Sequence, residues 1–192
     1  LQPDKIICRT RRDLTEDVKN KIALFCNIEK SSVIESKDAE TIYEVPCLMK
    51  NQNLDKVVLK KLKTKTKNSC ELKNWNSFLR NFKNPKRETT IALVGKYIEL
   101  KDSYKSIVEA LYHAGVKNKC KINIKWVHSE DLVENKIKNI LKDVNGVLVA
   151  PGFGDRGIEG KIKAIKYVRE NKIPFFGICL GMQCAVIEFS RN

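Results

Sequence analysis

The chain has 192 residues, of which 42% are hydrophobic, and a formal net charge of +14. This length fits one sizeable domain or parts of two, and the hydrophobic share is ordinary for a protein with a packed core. No apolar run approaches about 18 residues and no signal sequence is evident, which predicts a soluble cytoplasmic protein without a membrane partner. The seven cysteines include no C-x-x-C pair, so we expect free thiols in a reducing compartment rather than disulfides or a metal site.

The positive charge makes nucleic acid a partner to consider, because Lys and Arg side chains neutralise phosphates. The lysines, however, are spread along the chain among Asn and Ile residues. They are not interleaved with aromatic residues, as a groove for single-stranded nucleic acid requires. We therefore interpret the charge as solvated surface and expect no nucleic-acid partner.

The first 62 residues carry mainly helix signals. In "DLTEDVKNKIALFCN", Thr15 precedes two acidic residues and an apolar series at helical spacing, which predicts a helix capped by Thr15. "SSVIES" is a short strand candidate that ends near Ser36. "AETIYEVPCLMKNQNLDKVVLKKL" predicts two short helices, broken near Pro46 and at "NQN".

Residues 63–88 differ in composition from the segments on either side. They are polar and basic, with one helical segment around Trp75, and the Asn84-Pro85 turn signal closes them. We predict a linker with a short helix, which separates a domain at 1–62 from a second domain at 89–192.

From Thr89 onwards, strand and helix patterns alternate. This order predicts a doubly wound, mostly parallel α/β sheet with helices on both faces. We expect the helix "DSYKSIVEALYHAG" to be closed by Gly115, and "GVLVAPGFG" and "IPFFGI" to contain buried strands. Because ligands bind beyond the carboxyl ends of such strands, the glycine-rich turns at 152–157 and 177–181 are expected to line one crevice.

The segment "PFFGICLGMQCA" places Cys179 between two glycines, after an apolar strand and before a helix. This pattern is typical of a nucleophile elbow, in which a sharp turn lifts the nucleophile above the sheet. The helix N-terminus favours the reactive thiolate, and the Leu180 N–H with a donor from the other glycine loop would stabilise an oxyanion. A free cysteine is more often a buried small hydrophobe, and we predict that state for Cys184.

Two sets of motifs resemble one known family. "GKYIELKDSYKSIVEAL", "GFGDRGIEGKI" and "PFFGICLGMQCAVIEFSRN" resemble the glutaminase domain of the CTP synthase family, a class I glutamine amidotransferase. "LQPDKIICRTRR", "KIALFCNI" and "VIESKDAETIYEVPCLM" resemble the end of the synthetase domain of that family. The resemblance implies an ATP-dependent ligase that converts UTP to CTP with ammonia from glutamine. It also implies that residues 1–62 form a small α-rich end of a P-loop-type synthetase domain.

The resemblance also implies roles for particular residues. Cys179 would be the nucleophile, and the residues that bind glutamine would be Gly152, Leu180, Gly181, Met182 and Gln183. In the synthetase part, Lys21 would contact UTP or inhibitory CTP, and the ATP adenine would lie along Lys37, Asp38 and Ala39, with Arg9 as a further candidate. The family further implies Mg²⁺ bound by carboxylates outside this chain, activation by GTP, and a homotetramer.

The chain departs from the family pattern in two respects. The family's P-G-G-F-G reads A-P-G-F-G here, so Pro151, which has no N–H, replaces a glycine, and we expect Gly152 to suffice as the donor. The family's catalytic His-x-Glu pair would follow Asn192, and its P-loop would precede Leu1. We therefore expect the isolated chain to be inactive. The "His128-Ser129-Glu130" triplet is interpreted as a coincidence, and His113 as a partly buried helix residue.

Three other functions fit parts of the pattern. A different class I amidotransferase would share the elbow but not "QPDKIICRTRR" or "GKYIELKDSYKS". A non-catalytic interaction module would keep the fold while Cys179 stayed inert. A basic nucleic-acid binder would show an affinity that falls steeply with salt.

Overall fold

The computed structural model describes residues 2–64 and 71–191. Contacts within the chain divide it into two units, the first ending at Leu79 and the second beginning at Arg80. Residues 65–70 of the predicted linker lie outside the described part, and the predicted domain boundaries stay a prediction. Among the described helices, none has the length and apolar character that a membrane crossing needs.

The first unit combines a two-stranded parallel sheet with short helices. Strands β1 and β2 pair with Ile6 opposite Val33 and Thr10 opposite Lys37. Strand β1 was not predicted, because its five residues alternate between half-buried and exposed and include two charged or polar side chains. The elements are β1 (Ile6–Thr10), α1 (Glu16–Phe25), β2 (Val33–Lys37), α2 (Val45–Asn51) and α3 (Leu54–Lys61). Helix α4 (Lys73–Lys83) begins in this unit and ends in the second one.

The helix signals of the first unit are confirmed with one correction. The Thr15 side chain accepts a hydrogen bond from the Val18 N–H at 3.4 Å, so it caps α1 as predicted. The break predicted near Pro46 is wrong, since Pro46 lies in the first turn of α2. A proline is tolerated there because the first-turn N–H groups have no intrahelical partner. The break at "NQN" is confirmed, with Asn53 in the left-handed region at φ 56°.

The second unit is a parallel four-stranded sheet with helices between its strands. The strand order is β4-β3-β5-β6, and every pairing is parallel. This arrangement confirms the predicted doubly wound α/β fold and puts a topological switch point between β3 and β5. The elements are β3 (Arg87–Gly95), α5 (Lys105–Lys117), β4 (Cys120–His128), α6 (Glu134–Ile140), β5 (Gly146–Val149), α7 (Ile158–Glu170), β6 (Phe175–Gly177) and α8 (Leu180–Ser190).

The core of the second unit lies on both faces of this sheet. Ala92 and Val94 of β3 pack with residues of α6, α7 and α8 on one face. Leu93 points to the opposite face, where it packs with Tyr104 and with residues of α5. This alternation follows from the two-residue period of a strand and fixes which helices cover which face.

Two details of the second unit differ from the sequence prediction. Gly115 does not close α5 but lies within it. A Cβ at this position would come within 2.6 Å of the Cys120 carbonyl oxygen. The glycine therefore permits close helix–strand packing. Strand β6 is not buried as predicted, since Phe175 and Phe176 are exposed. In the described part of the sheet, β6 is an edge strand.

Candidate active site

Cys179 lies in the sharp turn that joins β6 to α8. Its backbone has φ 51° and ψ −109°, a conformation that costs free energy for a residue other than glycine. Its side chain is exposed, as a nucleophile requires. The strand–turn–helix geometry predicted around this cysteine is therefore present in the structure, and such strain is typical of functional sites.

The flanking glycines are required by the tightness of this turn. A Cβ on Gly177 would lie 2.7 Å from backbone atoms of Gly181 and Met182. A Cβ on Gly181 would lie 2.1 Å from the carbonyl oxygen of Val149, in the neighbouring strand β5. Any side chain at either position would push α8 away from the sheet. The two glycines thus fix the N-terminus of α8 beside the cysteine.

The glycine loop after β5 reaches the same place. Strands β5 and β6 are direct neighbours, so their carboxyl ends adjoin. A Cβ on Gly152 would lie 3.7 Å from Cδ2 of Leu180, the residue after the cysteine. The two glycine-rich turns therefore meet beside Cys179, as predicted. Met182 and Gln183 are exposed in the first turn of α8.

A buried lysine beneath this loop was missed by the sequence analysis. The ammonium of Lys161 donates a hydrogen bond to the Ala150 carbonyl at 2.9 Å, and the residue is 1% exposed. Burial lowers the pKa of Lys161, because the charged form loses its hydration. The available signal was helical spacing, since Lys161 and Ile165 are four residues apart on the buried face of α7.

Cys184 has the opposite environment to Cys179. It is fully buried in the core beneath α8, and this burial raises the pKa of its thiol, while the charge of Lys161 acts in the other direction. The prediction that Cys184 is a buried small hydrophobe is confirmed.

The His128 triplet lies away from the elbow. His128 is the last residue of β4. Strands β3 and β5 lie between β4 and β6, so β4 and β6 are about 14 Å apart at the usual strand spacing. His128 Nδ1 accepts a hydrogen bond from the Glu130 N–H at 3.3 Å, and Glu130 forms an ion pair with Arg156 at 2.9 Å. This placement supports the interpretation as a coincidence. His113 is exposed on α5, not partly buried as expected.

In the first unit, several predicted nucleotide-binding residues gather at the carboxyl ends of β1 and β2. Asp38 accepts a hydrogen bond from Arg9 Nε at 3.3 Å, and its N–H donates to the Thr10 carbonyl at 3.1 Å. The hydrogen bond with Asp13 raises the pKa of Lys37, and Ala39 is exposed beside it. The structure thus brings together the residues predicted to line the adenine.

Lys21 lies on a different element. It lies on α1 and forms an ion pair with Asp17, one turn earlier, at 2.8 Å. The residues predicted for UTP and for ATP therefore lie on separate elements of the first unit.

Comparisons with known proteins match two parts of the chain to two families. The family "Glutamine amidotransferase class-I" matches residues 99–192, and the family "CTP synthase N-terminus" matches residues 1–64. CTP synthases match the whole chain at 57% identity in Cytophaga hutchinsonii, 53% in Clostridium acetobutylicum and 52% in Methanocaldococcus jannaschii.

The chain belongs to the CTP synthase family. It spans about a third of the length of these relatives, 36% in each case. A solved glutaminase domain of the Trypanosoma brucei CTPS, with bound acivicin, is 40% identical with a TM-score of 0.51. That match covers 54% of this chain and 41% of the Trypanosoma brucei chain.

The resemblance implies Mg²⁺, bound by carboxylates outside this chain. Across residues 2–64 and 71–191, no group of three or more His, Cys, Asp or Glu side chains could hold a metal ion. No step below involves a metal.

Proposed function

We propose that the second unit supplies the nucleophile and the glutamine-binding turn with which a CTP synthase releases ammonia. The observation that supports this proposal most is the exposed Cys179 in a left-handed backbone conformation at the N-terminus of α8. A structural cysteine has no need of this strain, and the buried Cys184 shows what such a cysteine looks like in the same helix.

The proposed reaction is hydrolysis of the glutamine side-chain amide in two steps. The Cys179 sulfur attacks the carboxamide carbon to form a C–S bond, and the C–N bond then breaks. The thiol proton leaves on the nitrogen as ammonia, and a γ-glutamyl thioester remains. Water then cleaves this thioester, which gives glutamate and restores the thiol.

The backbone at the elbow is suited to this chemistry. Cys179 is the N-cap of α8, at the positive end of the helix dipole. The Gly181 N–H donates to the Ile178 carbonyl at 2.9 Å, so the Leu180 N–H would be the donor to the negative oxygen of the tetrahedral intermediate. Donors aimed at this oxygen are worth about 10²–10³ in rate each. Leu180, Gly181, Met182, Gln183 and the nearby Gly152 would bind the glutamine.

For the first unit, we propose a share in the nucleotide sites of the synthetase reaction. The carboxyl ends of β1 and β2, with Lys37, Asp38 and Ala39, would line the ATP adenine, and Lys21 would contact UTP or CTP. By family resemblance, the protein is cytoplasmic, forms a homotetramer and is activated by GTP. The gathering of Arg9 and Asp38 with Lys37 at one edge supports the adenine assignment.

A covalent adduct tests the glutaminase assignment. The full-length protein is treated with a glutamine-like diazo ketone, or with acivicin, which is bound in the Trypanosoma brucei glutaminase domain. Peptide mapping should find the adduct on Cys179, and glutamine should protect against it. Cys184→Ala should label normally, whereas Cys179→Ala should not label. An adduct on Cys184, or on neither cysteine, would contradict the proposal and favour a non-catalytic module.

A further inference from the structure

Lys161 is an unusual residue for the interior of a sheet–helix layer. It is the largest of the side chains that are less than 2% exposed, and it lies in α7 among Ile162, Ala164 and Ile165. Burying an ammonium group costs free energy unless it gains polar partners. The partner that the structure shows is one backbone oxygen, the carbonyl of Ala150. We infer from this cost that the buried ammonium of Lys161 has a role other than stabilising the fold.

The ammonium of Lys161 lies at the base of the glycine loop. The Ala150 N–H still donates to the sheet, to the Val94 carbonyl at 2.9 Å, whereas its own carbonyl accepts from Lys161. A Cβ on Gly152 would lie 3.3 Å from the lysine nitrogen and 3.7 Å from Leu180 Cδ2. Lys161 thus contacts the loop where it leaves the sheet and turns towards the elbow.

Pro151 makes this contact important. The peptide group between Ala150 and Pro151 has no N–H, so its carbonyl is its one hydrogen-bonding group. A rotation of this peptide would redirect the backbone of Gly152. At the far end of the loop, Lys96 donates to the Phe153 carbonyl at 3.1 Å, but Lys96 lies on a different element and is more accessible.

We propose that Lys161 is a positioning residue for glutamine hydrolysis: by holding the Ala150 carbonyl, it keeps the Gly152 backbone directed at the intermediate formed on Cys179. This proposal rests on the proposed glutaminase function. It requires that loss of the ammonium slows the steps that pass through an oxyanion. A simple displacement at the sulfur, which forms no oxyanion, should be unaffected.

An electrostatic role on the sulfur is the alternative to be separated. Burial is the largest influence on the pKa of Lys161 and lowers this pKa. The charge of Lys96 also lowers it, whereas Cys184 and Cys179 raise it. If the charge of Lys161 served mainly to hold Cys179 as a thiolate, its removal would slow every reaction of this sulfur.

The test compares Lys161→Met with Lys166→Met in the full-length protein. Methionine preserves length and apolar volume but removes the ammonium, and Lys166 provides a matched exposed control on the same helix. Glutamine hydrolysis is followed for kcat and KM, and Cys179 alkylation by iodoacetamide is followed as a function of pH. Thermal unfolding reports the fold, and replacement of a buried charge by an apolar group often leaves stability unchanged or higher.

We expect Lys161→Met to lower kcat by about tenfold or more, with KM and the alkylation profile within about twofold of the wild type. Lys161→Gln, whose amide can donate to a carbonyl, should recover part of kcat, and it decides the question if the methionine variant does not fold. The proposal would be overturned if Lys161→Met and Lys161→Gln both kept the wild-type kcat, or if the rate of Cys179 alkylation fell as much as kcat. A wild-type protein without glutaminase activity would instead refute the proposed function, and this proposal with it.

Discussion

At the scale of single residues, two cysteines of one helix show how position determines chemistry. Cys179 precedes α8, is exposed and has a strained backbone. Cys184 lies within α8, is fully buried, and has a thiol whose pKa is raised by burial. The same functional group is thus available to substrate in one case and part of the core in the other.

The glycines of the elbow provide a steric prediction at the same scale. Gly181→Ala would place a Cβ 2.1 Å from the Val149 carbonyl oxygen, a backbone atom that cannot move without disturbing β5. We expect this change to destabilise the protein by about 3 kcal/mol or more, measured by denaturant unfolding.

Gly152→Ala is the matched control for this prediction. Its Cβ would meet only the flexible ends of Lys161 and Leu180, at 3.3 and 3.7 Å. Its cost should therefore be about 1 kcal/mol or less. Equal stability losses in the two variants would show that Gly181 is not held against the sheet as described.

At the scale of elements, helices α7 and α8 hold the elbow in place together. The single Nε–H of Arg169 in α7 is shared between both carboxylate oxygens of Glu188 in α8, and a terminal nitrogen of Arg169 donates to the same carboxylate at 2.8 Å. Glu188 is 3% exposed, and its hydrogen bonds to Arg169 raise the pKa of the arginine. This pair connects the far end of α8 to the layer that contains Lys161.

The effect of this pair on stability can be compared with that of an exposed ion pair between α7 and Arg191, the residue that follows α8. Glu188→Ala leaves Arg169 without its carboxylate and opens a gap, so the midpoint of thermal unfolding should fall by about 5 °C or more. Glu159→Ala removes the exposed ion pair with Arg191 at 3.1 Å, and should change the midpoint by about 2 °C or less. A larger effect at Glu159 than at Glu188 would contradict this account.

The elements also show what could be predicted from the sequence. The alternation after Thr89 predicted the parallel sheet, because buried strands and amphipathic helices differ in both length and period. Strand β1 was missed because it is short and half exposed, and the burial of β6 was overestimated because its phenylalanines lie at an edge. Gly115 resembled a helix stop, although its function is to allow contact with β4.

The candidate site was predictable to a similar degree. Two glycines around one cysteine predicted the elbow, since only a tight turn requires them at both positions. Lys161 was not predicted. Its spacing from Ile165 placed it on the buried face of α7, but a lysine there can extend its ammonium to solvent, and the local sequence does not show that the loop after β5 will enclose it.

At the scale of the whole molecule, the two units match two different families. The first unit matches the CTP synthase N-terminus and the second a class I amidotransferase. In the proposed function, the second unit supplies only ammonia, and the synthetase reaction uses it. Loss of the Cys179 thiol should then stop the supply of ammonia from glutamine and leave the synthetase reaction with added ammonia intact.

This separation provides the most direct test. CTP formation by the full-length protein is measured with glutamine and, separately, with an ammonium salt, for the wild type, Cys179→Ala and Cys184→Ala. We predict that Cys179→Ala forms no CTP from glutamine but retains the ammonia-dependent reaction, and that Cys184→Ala retains both. Glutamine-dependent CTP formation by Cys179→Ala would contradict the assignment of Cys179 as the nucleophile.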